Sequence, residues 1–147
     1  ERPLVLAGNG VIQSGAAPEL RAFAERTGIP VVTTLHGIGA LPDDHPLCLG
    51  MPGMHGWVHV NRAIQECDVL LAVGMRFDDR VTGRAATFAP KARVIHVDVD
   101  AAEIGKLVPA HVGIVADARA ALGALLGELA RHAPTDVAPW RAHVDRV

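Results

Sequence analysis

Short apolar runs alternate with amphipathic segments along most of this chain, and that alternation constrains its fold more than any other feature. Apolar runs with the length of buried strands occupy residues 4–7, 29–33, 69–73, 93–99 and 111–115. Helical patterns separate several of them, over residues 17–26, 58–66 and 118–131. Strands that alternate with helices pair in parallel through right-handed crossovers. The sequence therefore predicts an α/β fold, with a parallel sheet flanked by helices.

Helix boundaries support this pattern. Leu20, Phe23 and Ala24 have the spacing of one apolar helix face, and Gly28 is a suitable C-terminal stop for that helix. Asp117 is placed to cap the last long helix. The chain has 147 residues, half of them hydrophobic but only 3% aromatic, which indicates one domain whose core consists of small and branched side chains.

Two stretches do not follow the alternation. Residues 34–56 are rich in glycine and proline and show little periodicity, which predicts a long loop, and long loops in compact domains are often functional. The tail, residues 132–147, contains Pro134, Pro139 and Trp140 and is typical of a linker. Because the chain starts at Glu1 rather than at a methionine, we expect it to be part of a longer protein.

Polar or glycine-rich residues follow every predicted strand. They are residues 8–10, 34–37, 74–83 and 98–100, together with Asp117. The carboxyl ends of parallel strands meet at one edge of a sheet, where ligands of such sheets bind. We therefore expect these five segments to form one site.

Each of these motifs also has an ordinary structural interpretation. Residues 8–10, Gly-Asn-Gly, could let a phosphate approach the backbone or could only form a tight turn, and they do not form a complete dinucleotide fingerprint. Arg76 and Arg80 could clamp a diphosphate or carboxylate, or could pair with the neighbouring aspartates. Asp98 suits the hydroxyls of a ribose, whereas Asp100 suits the cap of a helical turn over residues 101–104.

Several other functions have little support in the sequence. His55 and His59 do not form a zinc-binding H-E-x-x-H motif, and no nucleophile elbow occurs, so we predict neither a metal site nor catalytic residues. A net charge of −2 gives no reason to expect nucleic acid, and no apolar run has the length of a membrane span. Cys48 and Cys67 are predicted to be free thiols in a reducing compartment, which favours a cytoplasmic protein.

Four segments together resemble one family of enzymes. They are residues 29–35 (IPVVTTL), 50–56 (GMPGMHG), 76–83 (RFDDRVTG) and 96–106 (HVDVDAAEIGK). They are similar to the central domain of the acetolactate synthase large subunit, also called acetohydroxyacid synthase. The resemblance covers about residues 3–129, and its most specific part is the RFDDRVTG string.

The resemblance implies a Rossmann-like central domain over residues 1–131 that binds FAD, and a linker over residues 132–147. In this family, flanking domains bind thiamine diphosphate and Mg²⁺, and the enzyme condenses two pyruvates, or pyruvate and 2-ketobutyrate, with release of CO₂. The products are precursors of branched-chain amino acids. The implied partners are the flanking domains of the same chain, a second subunit in a homodimer or tetramer, and a regulatory subunit. Because the thiamine site lies in other domains, the resemblance implies that this chain alone is inactive and holds FAD weakly.

By the same resemblance, the FAD contacts fall on residues after each strand. They are Gly8, Asn9, Gly10, Thr34, Leu35, Gly53, Met54, His55, Gly74, Met75, Arg76, Asp78, Arg80, Val81, Asp98, Val99, Asp117 and Ala118.

The chain departs from the family pattern at a few of the neighbouring positions. Asn9 stands where glycine is commoner, Pro52 and Trp57 replace commoner residues, and Ala116 replaces a glycine. Asn9 can keep a turn of positive φ. Two alternatives remain open: the middle domain of a related thiamine enzyme, of the glyoxylate carboligase or pyruvate oxidase type, and a scaffold domain that has lost its flavin.

Overall fold

The chain folds around one parallel six-stranded sheet. A computed structural model describes residues 1–132 and 135–145. The strands are β1 Pro3–Ala7, β2 Val31–Thr33, β3 Cys48–Gly50, β4 Val69–Val73, β5 Arg93–Asp98 and β6 Val112–Val115. The helices are α1 Asn9–Gln13, α2 Ala17–Thr27, α3 Val58–Glu66, α4 Asp79–Thr82, α5 Ala118–Leu129 and α6 Ala138–Val144, with short 3₁₀ turns at Leu35–Gly37 and Ala85–Thr87.

The strand order creates a natural binding crevice. The order across the sheet is β3-β2-β1-β4-β5-β6, with every neighbouring pair parallel. The chain winds outward from β1 in one direction and then from β4 in the other, which is the Rossmann arrangement. The segments that follow β1 and β4 diverge to opposite faces of such a sheet and leave a crevice between them. The predicted α/β Rossmann-like fold is confirmed.

Alternating side chains of the central strands build a core on each face. Leu4 and Leu6 of β1 pack on the face covered by α3 and α6, whereas Val5 and Ala7 pack on the face covered by α1, α2 and α5. This division follows from the two-residue period of a strand, and burial on both faces explains why these strands are nearly continuous apolar runs.

The structure corrects the prediction for residues 34–56. This segment contains β3, an edge strand that pairs with β2. The strand is only three residues long, and each of its residues is half-buried, so it has neither the length nor the alternation of a recognisable strand.

The described part of the tail contains a helix that the sequence analysis did not predict. Residues 138–144 form α6, with Trp140 and Val144 buried against the α3 face of the sheet. Pro139 misled the sequence interpretation, because proline in the first turn starts a helix as readily as it marks a linker. The predicted linker also included residues 133, 134, 146 and 147, which lie outside the described part of the chain. The proposed boundary between residues 131 and 132 stays a prediction.

Smaller corrections concern the ends of strands. The predicted turn at residues 8–10 is the start of α1, which has Gly8 at its N-cap. Asn9 is therefore helical rather than a residue of positive φ. Residues 101–104 form turns instead of a first helical turn. The strand predicted over 93–99 ends at Asp98.

Candidate functional site

A cavity of about 600 Å³ opens at the carboxyl edge of the sheet. Its walls come from the segments that follow β1, β2, β4 and β5 and from the N-terminus of α5. This volume lies within the range of small-molecule and cofactor sites, about 300–1,000 Å³. The cavity thus lies where the strand order predicts a ligand.

Most of the predicted site residues line this one cavity. They are Asn9, Gly10, Thr34, Leu35, Gly74, Met75, Arg76, Asp78, Arg80, Val81, Asp98, Val99, Asp117 and Ala118. The five strand-end segments therefore do come together, although whether they touch FAD stays a prediction.

The floor of the cavity is a backbone contact between glycines. Gly8 N–H donates to Val73 O at 2.9 Å and Gly10 N–H to Gly74 O at 3.0 Å. A Cβ at Gly10 would lie 2.7 Å from the Gly74 Cα, and one at Gly8 would lie 2.3 Å from the Gly74 carbonyl oxygen. Real side chains do not tolerate such distances, so glycine is required here to bring the β1 and β4 loops together. The sequence analysis left these glycines open between ligand approach and a tight turn, and it did not predict this packing role.

The loop that follows β4 is anchored by one buried aromatic ring. Phe77 is 1% exposed, and its ring meets those of Phe88 and His96 edge-on, at centroid distances of 5.8 Å and 4.9 Å. Its φ of 55° lies in the left-handed region, which is uncommon for a residue with a side chain and is maintained here by burial of the ring. With Phe77 turned into the core, its neighbours Arg76 and Asp78 line the cavity.

The two arginines of this loop remain available to a ligand. Arg76 is exposed and, within residues 1–132 and 135–145, has no salt-bridge partner. Arg80 Nε lies 3.8 Å from Asp79 Oδ1, and both side chains are more than four-fifths exposed. Such an exposed pair contributes about 0–1 kcal/mol, too little to hold Arg80 away from an anion.

Asp78 has a structural role that the ligand interpretation did not include. Its Oδ1 accepts hydrogen bonds from the N–H groups of Arg80 and Val81, at 3.0 and 3.3 Å, and so caps α4. The cap fixes the direction in which the backbone carries Arg80. One carboxylate oxygen of Asp78 is therefore used within the protein, whereas the other has no hydrogen bond within the described residues.

Carboxylates line the wall formed after β5. Asp98 Oδ1 accepts the N–H of Asp100 at 2.9 Å, and Asp100 Oδ1 accepts the N–H of Ala102 at 2.9 Å, which gives two successive turns. Glu103 also lines the cavity, and its Oε1 is 2.8 Å from Lys106 Nζ. These acids are oriented by the loop itself, so their remaining oxygens can accept hydrogen bonds from the hydroxyl groups of a ligand.

The N-terminus of α5 completes the walls. Asp117 caps this helix, accepting from the N–H groups of Arg119 and Ala120 at 2.9 and 3.2 Å, as predicted. Beside the cap, Arg119 Nε donates to Glu19 Oε1 at 2.8 Å, and this hydrogen bond lowers the pKa of Glu19. Arg119 is therefore engaged by a carboxylate, unlike Arg76.

Four predicted residues lie outside the main cavity. Gly8 is buried in its floor, and Gly53 and Met54 border a second, neighbouring cavity of about 360 Å³ that shares Val81 with the first. His55 is exposed and lines neither. The structure thus does not bring the 53–55 segment into the main site.

Some lining residues were not among the predicted FAD contacts. They are Gln13, Ser14, His36, Val97, Asp100, Glu103 and Ala116. Gln13 and Ser14 lie a helical turn beyond the predicted Gly-Asn-Gly motif, so recognising α1 would have found them. His36 and Asp100 lie in the segments 34–37 and 98–100, which were expected at the site. Ala116 adjoins Asp117, and Glu103 was noted only as part of the resemblance.

Other kinds of site are not supported by the described residues. No group of three or more His, Cys, Asp or Glu side chains within them is placed to hold a metal ion. No described helix has both the length and the apolar character needed to cross a membrane. Both cysteines are free, as predicted, and burial raises the pKa of the Cys67 thiol to about 12, so it is not an activated nucleophile.

The groups around the main cavity fit an elongated flavin dinucleotide. Arg76 and Arg80 can bind a diphosphate, and Asp98 and Glu103 can accept hydrogen bonds from hydroxyl groups. Leu35 and Val99 are 63% and 75% exposed at the cavity, which gives apolar contact for ring systems. Exposed aliphatic groups beside exposed cations suit a ligand with both kinds of surface.

Comparison with known proteins shows the family of the chain. Residues 1–125 match the family described as "Thiamine pyrophosphate enzyme, central domain". The chain is 55% identical to the "Probable acetolactate synthase large subunit" of Methanocaldococcus jannaschii, over 95% of this chain and 24% of that protein. It is 53% identical to the "Acetolactate synthase" of Mycobacterium avium, over 99% of this chain and 24% of that protein. It is 51% identical to the "Acetolactate synthase large subunit" of Corynebacterium glutamicum, over 95% and 23%.

The chain thus spans about a quarter of the length of these relatives, and the rest of each relative contains other parts of the protein. The family match covers most of the chain, and the observed Rossmann-like sheet agrees with it. We conclude that this chain belongs to the thiamine pyrophosphate enzyme central domain family.

Proposed function

We propose that this chain is the central domain of an acetolactate synthase large subunit and that its main cavity binds FAD. The identity of about half of all positions with three proteins of that name supports the enzyme assignment. The observation that carries the FAD assignment is the pair Arg76 and Arg80. Both are exposed in the crevice at the strand-order switch. Within the described residues Arg76 has no salt-bridge partner, and Arg80 has only a long, solvent-exposed contact of 3.8 Å with Asp79.

The chain's residues would bind and orient the flavin rather than perform chemistry. Arg76 and Arg80 would hold the diphosphate, the acids after β5 would accept ribose or ribityl hydroxyls, and Leu35 and Val99 would contact rings. The flavin, when bound, supplies no net oxidation or reduction in this proposal and serves as a structural element. The cap at Asp78 holds the backbone of Arg80, and thereby the origin of its side chain, before the ligand binds.

The synthase reaction itself is assigned to the whole protein. It joins two pyruvates, or pyruvate and 2-ketobutyrate, with release of CO₂, and depends on thiamine diphosphate and Mg²⁺ held by the flanking domains. We propose a cytoplasmic enzyme that assembles from at least two subunits, together with a regulatory subunit. The isolated chain should have no synthase activity and should bind FAD weakly, because the remaining contacts come from the other domains.

The full-length protein tests this proposal directly. The purified enzyme, stripped of cofactors, should form acetolactate from pyruvate only when thiamine diphosphate, Mg²⁺ and FAD are all added back. Acetolactate formation is followed colorimetrically after its conversion to acetoin. Full activity without FAD would refute the flavin assignment, and a protein that releases CO₂ from pyruvate without forming acetolactate would refute the synthase assignment.

A further inference from the structure

We propose that His96 is a positioning residue for the main cavity, whose buried ring fixes the two loops that follow β4 and β5. The inference rests on the proposed function only in naming FAD as the ligand. His96 lies in β5 and is 0% exposed, so it cannot touch a ligand in the cavity. Its effect on binding must therefore pass through the residues that it contacts.

The imidazole connects the two loops by hydrogen bonds of opposite direction. His96 Nε2 lies 2.8 Å from the Met75 carbonyl oxygen, which can only accept. The Gly105 N–H, which can only donate, points to His96 Nδ1 at 3.4 Å. Both bonds form together only when the ring is neutral and carries its proton on Nε2. Neither a purely donating nor a purely apolar side chain can satisfy both loops.

Each bonded loop carries residues that line the cavity. Met75 adjoins Arg76, and the next residue, Phe77, has the strained φ of 55° and packs edge-on against the His96 ring. On the other side, Gly105 with φ 70° closes the turn that presents Glu103. One buried ring thus sets the position of an arginine on one wall and of a carboxylate on the other.

A packing role and a positioning role predict different behaviour. If His96 only filled space, a phenylalanine at this position should preserve the order of both loops, because the surrounding side chains already make edge-on aromatic contacts. If its hydrogen bonds position the loops, phenylalanine leaves the Met75 carbonyl and the Gly105 N–H without partners in a buried site. Both loops would then lose order while the rest of the fold stays intact.

The experiment compares His96→Phe, His96→Gln and His96→Asn in the full-length protein. Amide hydrogen exchange is measured without FAD, and the FAD dissociation constant is measured by quenching of flavin fluorescence. We expect His96→Phe to accelerate exchange in residues 74–82 and 100–106, with α3 unchanged as an internal control. FAD binding should weaken about tenfold, as for the loss of one or two hydrogen bonds.

The other two variants separate the two bonds. Glutamine can place a donor near the Nε2 position and should restore protection mainly in residues 74–82. Asparagine can place an acceptor near the Nδ1 position and should restore it mainly in residues 100–106. Partial rescue of this kind would not follow from a role in packing alone.

Three outcomes would overturn the inference. They are unchanged exchange in both loops of His96→Phe, acceleration spread equally over α3 and α5, and equal behaviour of the glutamine and asparagine variants in both loops. If the wild-type protein binds no FAD, the proposed function fails, but the exchange data still decide the role of His96.

Discussion

The carboxyl and amino edges of this sheet are built in different ways. At the carboxyl edge, glycine backbones pack against each other, and the polar side chains above them point into a cavity with few partners. At the amino edge, polar groups are paired within the protein. Trp140 Nε1 donates to the Pro3 carbonyl at 2.9 Å, His143 Nε2 lies 2.7 Å from Glu66 Oε2, and the Arg2 N–H donates to Asp68 at 2.8 Å.

This difference separates stability from function. Buried apolar groups and satisfied hydrogen bonds at the amino edge hold α6 against the sheet, and changes there should act on stability. The exposed guanidinium groups of Arg76 and Arg80 at the carboxyl edge add little to stability, so changes there should act on binding. The glycines of the floor and the cap of α4 lie at the carboxyl edge but are packed or hydrogen-bonded within the protein. Changes at these residues should therefore act on stability as well as on binding.

The largest expected effect is at the amino edge, at Trp140. Its side chain is 3% exposed, so Trp140→Ala should lower the free energy of unfolding by about 3–5 kcal/mol. Trp140→Phe keeps most of the packing but loses the bond to Pro3, and should cost less. Guanidinium chloride unfolding of the protein gives both values, and a loss below about 1 kcal/mol for the alanine variant would show that α6 does not belong to the core.

The next effect concerns the glycine floor of the cavity. Gly10→Ala would place a Cβ 2.7 Å from Gly74 Cα and should cost about 1–3 kcal/mol, although alanine is the better helix former. Gly127→Ala is the matched control, because it also lies in a helix and has no atom within 4 Å of the added Cβ. This control should stabilise the protein by about 0.5–1 kcal/mol.

Urea denaturation of the two glycine variants gives the comparison. Changes of opposite sign in the free energy of unfolding for Gly10→Ala and Gly127→Ala would support the packing role of Gly10. Equal stabilisation by both substitutions would mean that the β1 and β4 loops do not pack as closely as the structure shows.

A smaller effect is expected at the cap of α4. Asp78→Ala should lower stability by about 1 kcal/mol, because two N–H groups lose their acceptor. Asp79→Ala is the neighbouring control, since the Asp79 side chain is 84% exposed and lies 3.8 Å from Arg80, and it should change stability by less than about 0.5 kcal/mol. Thermal unfolding would show the difference, and equal midpoints would contradict the capping role.

The sequence predicted the fold well because the strands of the sheet centre are buried on both faces. Such strands are recognisable as continuous apolar runs, as at β1 and β4. It failed at β3, whose three half-buried residues have no pattern, and at α6, where prolines were taken as signs of a linker. In both cases tertiary contacts, which the local sequence does not display, determine the structure.

The site was predictable to the extent that it follows from strand order. Residues after each strand were expected to meet, and most of them line one cavity. The predicted role of Gly8 and Gly10 was incomplete, because their contact with Gly74 joins segments more than sixty positions apart. The proposed role of His96 could not be predicted either, because its two hydrogen-bond partners, Met75 and Gly105, lie in different loops that come together only in the folded chain.

Arg80→Ala in the full-length protein tests whether the exposed arginines of the carboxyl edge hold FAD. The control is Arg84→Ala, since Arg84 is also exposed, lies just beyond α4 and does not line the cavity. We expect the FAD affinity to weaken about tenfold, as for one charge-assisted contact, in Arg80→Ala only, with the unfolding midpoint unchanged in both variants. Equal FAD dissociation constants for Arg80→Ala, Arg84→Ala and the wild type would contradict it.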